Sequence, residues 1–102
     1  MKIEEISIED KDYPIRLMNI KNPPKQIYVI GNKKILNKKG IAIVGSRNCT
    51  EKGAENAKLF GANIALEGLT VISGMAKGID TAAHIGTIMG KGKTIAVLRR
   101  RV

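Results

Sequence analysis

Residues 41–98 read IAIVGSRNCTEKGAENAKLFGANIALEGLTVISGMAKGIDTAAHIGTIMGKGKTIAVL, and this stretch decides the fold. Three short apolar runs mark it: Ile41–Val44, Leu69–Ser73 and Thr94–Leu98. Continuous apolar runs of this length are typical of parallel strands covered on both faces. Gly45 and Gly74 close the first two. Between them Ala54, Ala57, Gly61, Ile64 and Ala65 share one helical face, with Phe60 alongside. Thr50 is placed to cap that helix, Glu51 puts a negative charge in its first turn, and Gly68 is its expected stop. A second helix is expected from about Asp80 to Met89, ended by Gly90. The order is βαβαβ, the pattern of a parallel, Rossmann-like α/β sheet. Gly53, Ala57, Gly61 and Ala65 recur every four residues. A glycine inside a helix costs about 1 kcal/mol relative to alanine, so close packing of this face on the sheet is the expected compensation.

Upstream the pattern is less regular. Residues 13–24, YPIRLMNIKNPP, contain all three prolines, and Pro23-Pro24 blocks a helix there. They are expected to be an extended lead-in. Gln26–Ile30 (QIYVI), closed by Gly31-Asn32, is a strand candidate. Residues 33–40 are basic, with a short irregular strand or turn expected around Ile35 and Leu36. The chain therefore divides into a lead-in and edge strand at 1–40 and a partial Rossmann-like domain at 41–102.

The 102 residues carry 18 Lys and Arg against 9 Asp and Glu. The excess is uneven. Residues 1–12 hold two bases and five acids, a net of −3, while residues 13–102 hold 16 bases and four acids, a net of +12. An excess of that size points to a polyanionic partner, and nucleic acid is the default. A membrane surface is disfavoured, because no basic amphipathic helix is visible. One Cys and one His exclude a disulfide scaffold and a cysteine-built zinc site. No cofactor and no metal are expected. No run approaches the ~20 apolar residues that span a bilayer. The mixed, acidic start MKIEEISIEDKDY is not a secretory signal, so a cytoplasmic location is expected.

Ligands of parallel α/β sheets bind beyond the carboxyl ends of the strands. Two turns lie there, residues 45–50 (GSRNCT) and 73–80 (SGMAKGID), each leading into a helix N-terminus whose free N–H groups favour phosphate. Each carries one cation, Arg47 or Lys77, and one hydroxyl, Ser46 or Ser73. Arg47 can grip a phosphate with two parallel bonds, and Lys77 acts as a point charge. Gly45, Gly74 and Gly78 allow close approach of a ligand to the backbone. The phosphate-binding candidates are therefore Gly45, Ser46, Arg47, Ser73, Gly74, Lys77 and Gly78.

Other motifs fall away. Neither turn contains G-x-G-x-x-G. Gly92-Lys93-Thr94 imitates the end of a Walker loop, but the position of its leading glycine holds Thr87, and the motif precedes its strand. His84 follows Asp80 by four residues without a nucleophile or second acid, so it reads as structural. Asp80 reads as an N-cap or loop-organising carboxylate, and Thr50, Asp80 and His84 together as loop-organising. Cys49, without a partner base, reads as incidental. The run Arg99–Arg101 reads as a solvated tail.

Tyr13-Pro14 with Leu17, Pro23-Pro24, Tyr28 before Gly31, IAIVGSR at 41–47, ISGMAKGIDTAAH at 72–84 and GKTIAVL at 92–98 together resemble the DNA-processing protein A family (DprA, also called Smf). The resemblance runs from about residue 13 to residue 98. It implies a Rossmann-like domain that binds single-stranded DNA, protects incoming strands during natural transformation and helps load the RecA recombinase. It implies no catalytic residues. The family's phosphate-gripping motifs fall on Ser46 and Arg47, and on Ser73, Gly74, Lys77 and Gly78. The match is to the N-terminal part of the family's Rossmann-like domain, read as truncated. Arg99-Arg100-Arg101 stand where the family has a glycine-rich turn, and the strands that carry dimer and recombinase contacts in the family come later. Two other readings are a nucleotide phosphoribohydrolase-like enzyme using the same cradle and a remnant without independent function. Against the enzyme, the hydrolases' PGGxGT-type loop is missing.

Overall fold

The structure is a computed structural model that describes residues 2–98. Arg99–Arg101 lie outside the described residues. The chain forms two compact units, the first ending at Lys38 and the second beginning at Lys39.

The first unit pairs strand β1 (Ile3–Ser7) antiparallel with β2 (Gln26–Ile30), in a register running from Ile3 opposite Ile30 to Ser7 opposite Gln26. β2 falls on the predicted QIYVI run. Its partner β1 was not expected, because IEEIS does not alternate cleanly. Ile6 and Tyr13 form the buried centre. Tyr13 Oη donates to the Pro24 carbonyl over 2.6 Å. The Asn37 side chain ties the same segment twice, donating to the Tyr13 carbonyl (3.0 Å) and accepting from the Ile15 N–H (2.7 Å). Residues 13–24 are not wholly extended: Ile15–Met18 form one helical turn, α1. Pro14, at φ −61°, is preset for a helix start, and its carbonyl accepts from Leu17 and Met18. Residues Lys33–Ile35 form a 3-10 turn, with Asn32 Oδ1 accepting from the Lys34 N–H. The acidic start meets its counter-charge here. Lys33 Nζ lies 3.2 Å from Glu4, 3.8 Å from Asp10 and 3.9 Å from Asp12. The hydrogen bond to Glu4, above all, raises the Lys33 pKa.

In the second unit β3 (Gly40–Ala42), α2 (Glu51–Leu66), β4 (Thr70–Ser73), α3 (Ile79–Met89) and β5 (Thr94–Ala96) alternate as predicted. The three strands form a parallel sheet in the order β3-β4-β5, with Ile41 beside Val71 and Ile72 beside Ile95. This is the βαβαβ unit of a Rossmann-like fold. Only the central strand is enclosed: Thr70, Val71 and Ser73 are buried. The expectation that Ile41–Val44 is buried on both faces does not hold. The pairing ends at Ala42, Ile41 is 43% exposed and Val44 is more so, since β3 lies at the edge of the sheet.

The small face of α2 also has a different partner from the one expected. It packs on α3, not on the sheet. Successive right-handed crossovers in one direction put consecutive helices on the same side of a sheet, where they must meet. A methyl group at Gly61 would stand 2.5 Å from the Ala83 carbonyl oxygen and 2.8 Å from Thr87 Oγ1. One at Gly86 would overlap the Lys58 carbonyl and lie 2.5 Å from Lys58 Cα. Ala57, Ala82 and Ala83 fill the rest of this seam and are buried. The two helices therefore touch nearly backbone to backbone.

Candidate nucleic-acid interface

The turns after β3 and β4 are built by different local rules and then fastened together. In the first, Ser46 Oγ accepts from the Asn48 N–H over 3.0 Å, bending the chain before α2. Thr50 Oγ1 then accepts from the Gly53 N–H over 2.9 Å, taking one of the free donors of the first helical turn. Cys49 is a half-buried free thiol beside that start. In the second turn Met75 (φ +60°) and Gly78 (φ +84°) both sit in the left-handed region. Gly78 leads into α3 without a side-chain cap. Any side chain at Gly78 would strike the Ser46 carbonyl, which also accepts from the Ile79 N–H over 3.3 Å.

Asp80 is the strongest link between the turns. It is the second residue of α3, not its N-cap, and is 6% exposed. One carboxylate oxygen accepts from the Gly45 N–H at 3.2 Å, and the other from the Gly74 N–H at 3.0 Å. Such charge-assisted bonds are about twice as strong as neutral ones. They also change the anion-site expectation. The amides of Gly45 and Gly74 are occupied by Asp80, and the space a side chain would take is filled by Ile79 at Gly45 and by Asp80 at Gly74, so these two glycines serve the packing of the turns and offer a ligand no donor. Ser73 is unavailable too. It is 3% exposed, and its hydroxyl donates to the Ile43 carbonyl over 2.5 Å, tying β4 to the segment that follows β3.

The side chains left facing solvent on these turns include Ser46, Arg47 and Lys77. Among the described residues no carboxylate lies within ion-pair distance of Arg47 or Lys77. The fastening holds these two turns together beyond the carboxyl ends of β3 and β4. His84 makes its hydrogen bond away from the turns. Its Nδ1 lies 2.7 Å from Thr94 Oγ1, linking α3 to β5. The Thr94 hydroxyl has one proton and donates it to the Val71 carbonyl over 2.9 Å, so Nδ1 must carry the hydrogen and Nε2 is the bare nitrogen. Nε2 is buried without a hydrogen-bond partner among the described residues. Burial lowers the His84 pKa, and the Asp80 charge offsets only part of that.

Thr81 and Ile79 also shape the turns, although neither stands out in the sequence. The Thr81 N–H and hydroxyl both donate to the Ala76 carbonyl, at 3.0 and 2.7 Å, and hold the second turn in shape. No sequence signal marks a contact such as that of Ile79 with Ser46, which joins separate turns. Among the described residues no three His, Cys, Asp or Glu side chains are grouped to hold a metal, and no helix is long and apolar enough to cross a membrane.

Comparison with known proteins agrees with this architecture. The chain is 40% identical over 97 residues to DNA processing protein DprA of Streptococcus pneumoniae, covering 95% of this chain and 34% of that protein. It is 37% identical to DprA of Bacillus subtilis, covering 94% and 33%. It therefore spans about a third of the length of these relatives. The crystal structure of the S. pneumoniae protein superposes with a TM-score of 0.84 over 95% of this chain and 34% of its own, at 41% identity. A Helicobacter pylori DNA processing protein A structure, which describes that protein's single-stranded DNA binding mode, superposes with a TM-score of 0.76 at 26% identity, over 95% of this chain and 42% of its own. A family model described as DNA recombination-mediator protein A matches residues 4–102, and the chain belongs to that family of DNA-processing proteins.

Proposed function

We propose that this chain binds single-stranded DNA through its backbone phosphates, with Arg47 and Lys77 as the principal contacts and the Ser46 hydroxyl beside them. The observation that carries this reading is the fastened pair of turns at the carboxyl ends of β3 and β4, whose two cations have no carboxylate partner among the described residues. The net charge of +12 over residues 13–102 supports it, as does the single-stranded DNA binding described for the H. pylori relative. Phosphate contacts of this kind position a strand without reading its sequence. Protection of incoming strands and recombinase loading, which the family resemblance implies, belong to the same proposal only for a longer protein, since this chain spans about a third of the length of its relatives.

A hydrolase reading needs a carboxylate free to act on a glycosidic bond. Asp80 is the one acid within the two turns, and both of its oxygens accept from backbone amides. The DNA reading is therefore preferred.

The test is titration of a labelled oligonucleotide at several salt concentrations. Each phosphate contact on a single strand contributes about 0.7 to the slope of log K against log salt. The Arg47→Ala, Lys77→Ala double variant is expected to bind more weakly and to lower the slope by about 1.4. Equal affinity and equal slope in the double variant would reject the assignment.

A further inference from the structure

The turn between β4 and α3 carries a feature that phosphate binding does not explain. Met75 has φ +60° and is 57% exposed. A side chain longer than a methyl in this region is a backbone outlier, and a glycine would sit there without strain. The conformation is imposed from both sides. Before Met75, the Gly74 N–H is held by Asp80 at 3.0 Å. After it, the Ala76 carbonyl is held by the Thr81 N–H and hydroxyl. A strained backbone therefore presents an exposed thioether two residues before Lys77. Strain at such a position points towards function. Neither turn contains an aromatic side chain. Methionine is the side chain here best suited to lie against a flat π-system, through its polarisable sulfur.

We infer that Met75 is the base-contacting residue of this interface: it packs against an unstacked nucleobase whose flanking phosphates are held by Lys77 and Arg47. The inference rests on the proposed DNA reading and deepens it. The phosphate contacts treat all strands alike, whereas Met75 makes the site prefer strands that carry bases.

The experiment compares a fluorescent thymidine oligonucleotide with an abasic oligonucleotide of the same length, for the wild type, Met75→Ala, Met75→Gly and the Arg47→Ala, Lys77→Ala double variant. Met75→Ala is expected to weaken binding to the thymidine strand about 2- to 10-fold and to leave the abasic strand unchanged. Met75→Gly is expected to weaken the thymidine strand likewise while raising the melting temperature, because it relieves the backbone. The double variant is expected to weaken both strands alike. Equal loss on both strands with Met75→Ala, or no loss on either, would overturn the role of Met75. If the double variant behaves as wild type on both strands, the phosphate reading fails, and the Met75 assignment with it.

Discussion

In the unit that ends at Lys38, side chains reach out to hold backbone. Tyr13 takes the Pro24 carbonyl, Asn37 takes both the Tyr13 carbonyl and the Ile15 N–H, and Arg16 takes the Leu36 carbonyl. In the unit that begins at Lys39, side chains also tie backbone in the turns, but the two helices meet because side chains are missing. Gly61 and Gly86 let α2 and α3 approach until a methyl group would not fit. The first kind of tie is made of separable bonds, each worth about 1 kcal/mol net. The second is a single surface, and overfilling it moves two helices at once. The two units are therefore expected to fail differently when mutated.

The largest effect is expected from Gly86→Ala. The new methyl lands on the Lys58 backbone, which cannot swing aside as a side-chain tip can. Overpacking typically costs 1–3 kcal/mol and sometimes more, and about 3 kcal/mol or more is expected here. Chemical denaturation with amide exchange in α2 and α3 would measure it, and unchanged stability would dismiss the close-packing account. A smaller effect, about 1 kcal/mol, is expected from Tyr13→Phe, which keeps the buried ring and removes one bond to Pro24. If the two variants prove equally costly, the contrast between the units does not stand.

The smallest effect concerns pH. Burial of His84 lowers its folded pKa below the ordinary 6.5. Below that value the unfolded chain binds a proton that the folded chain refuses. Stability is therefore fully present above pH 6.5 and falls as the pH drops towards the folded pKa. Denaturation curves between about pH 5 and pH 7.5 would show the decline, and His84→Gln is expected to flatten it.

Much of the second unit was legible because its signals are local. The apolar runs, the helical period, and the glycines at 68 and 90 mark where elements begin and end within a few residues of themselves. The first unit was harder. β1 is specified by pairing with a strand some twenty residues later, and its Ile3 and Ile6 do not share a face. The same limit applied to the small face of α2. Its spacing announced a close neighbour but not which one, because the neighbour depends on both crossovers sharing one side of the sheet. In the turns, the composition of residues 45–50 and 73–80 was readable, whereas the commitment of the Gly45 and Gly74 amides to Asp80 was not. That bond joins positions 35 residues apart. His84 likewise reaches β5 and not the turns, through a partner ten residues on.

Asp80 belongs to α3, yet the amides it holds lie in the turns that follow two different strands. Neither turn can acquire its shape until the helix has docked, so a peptide cut from either one would not hold it. The coupling also runs the other way. A ligand that grips the assembled turns resists the undocking of α3, so its affinity is felt as protection of a helix it never touches.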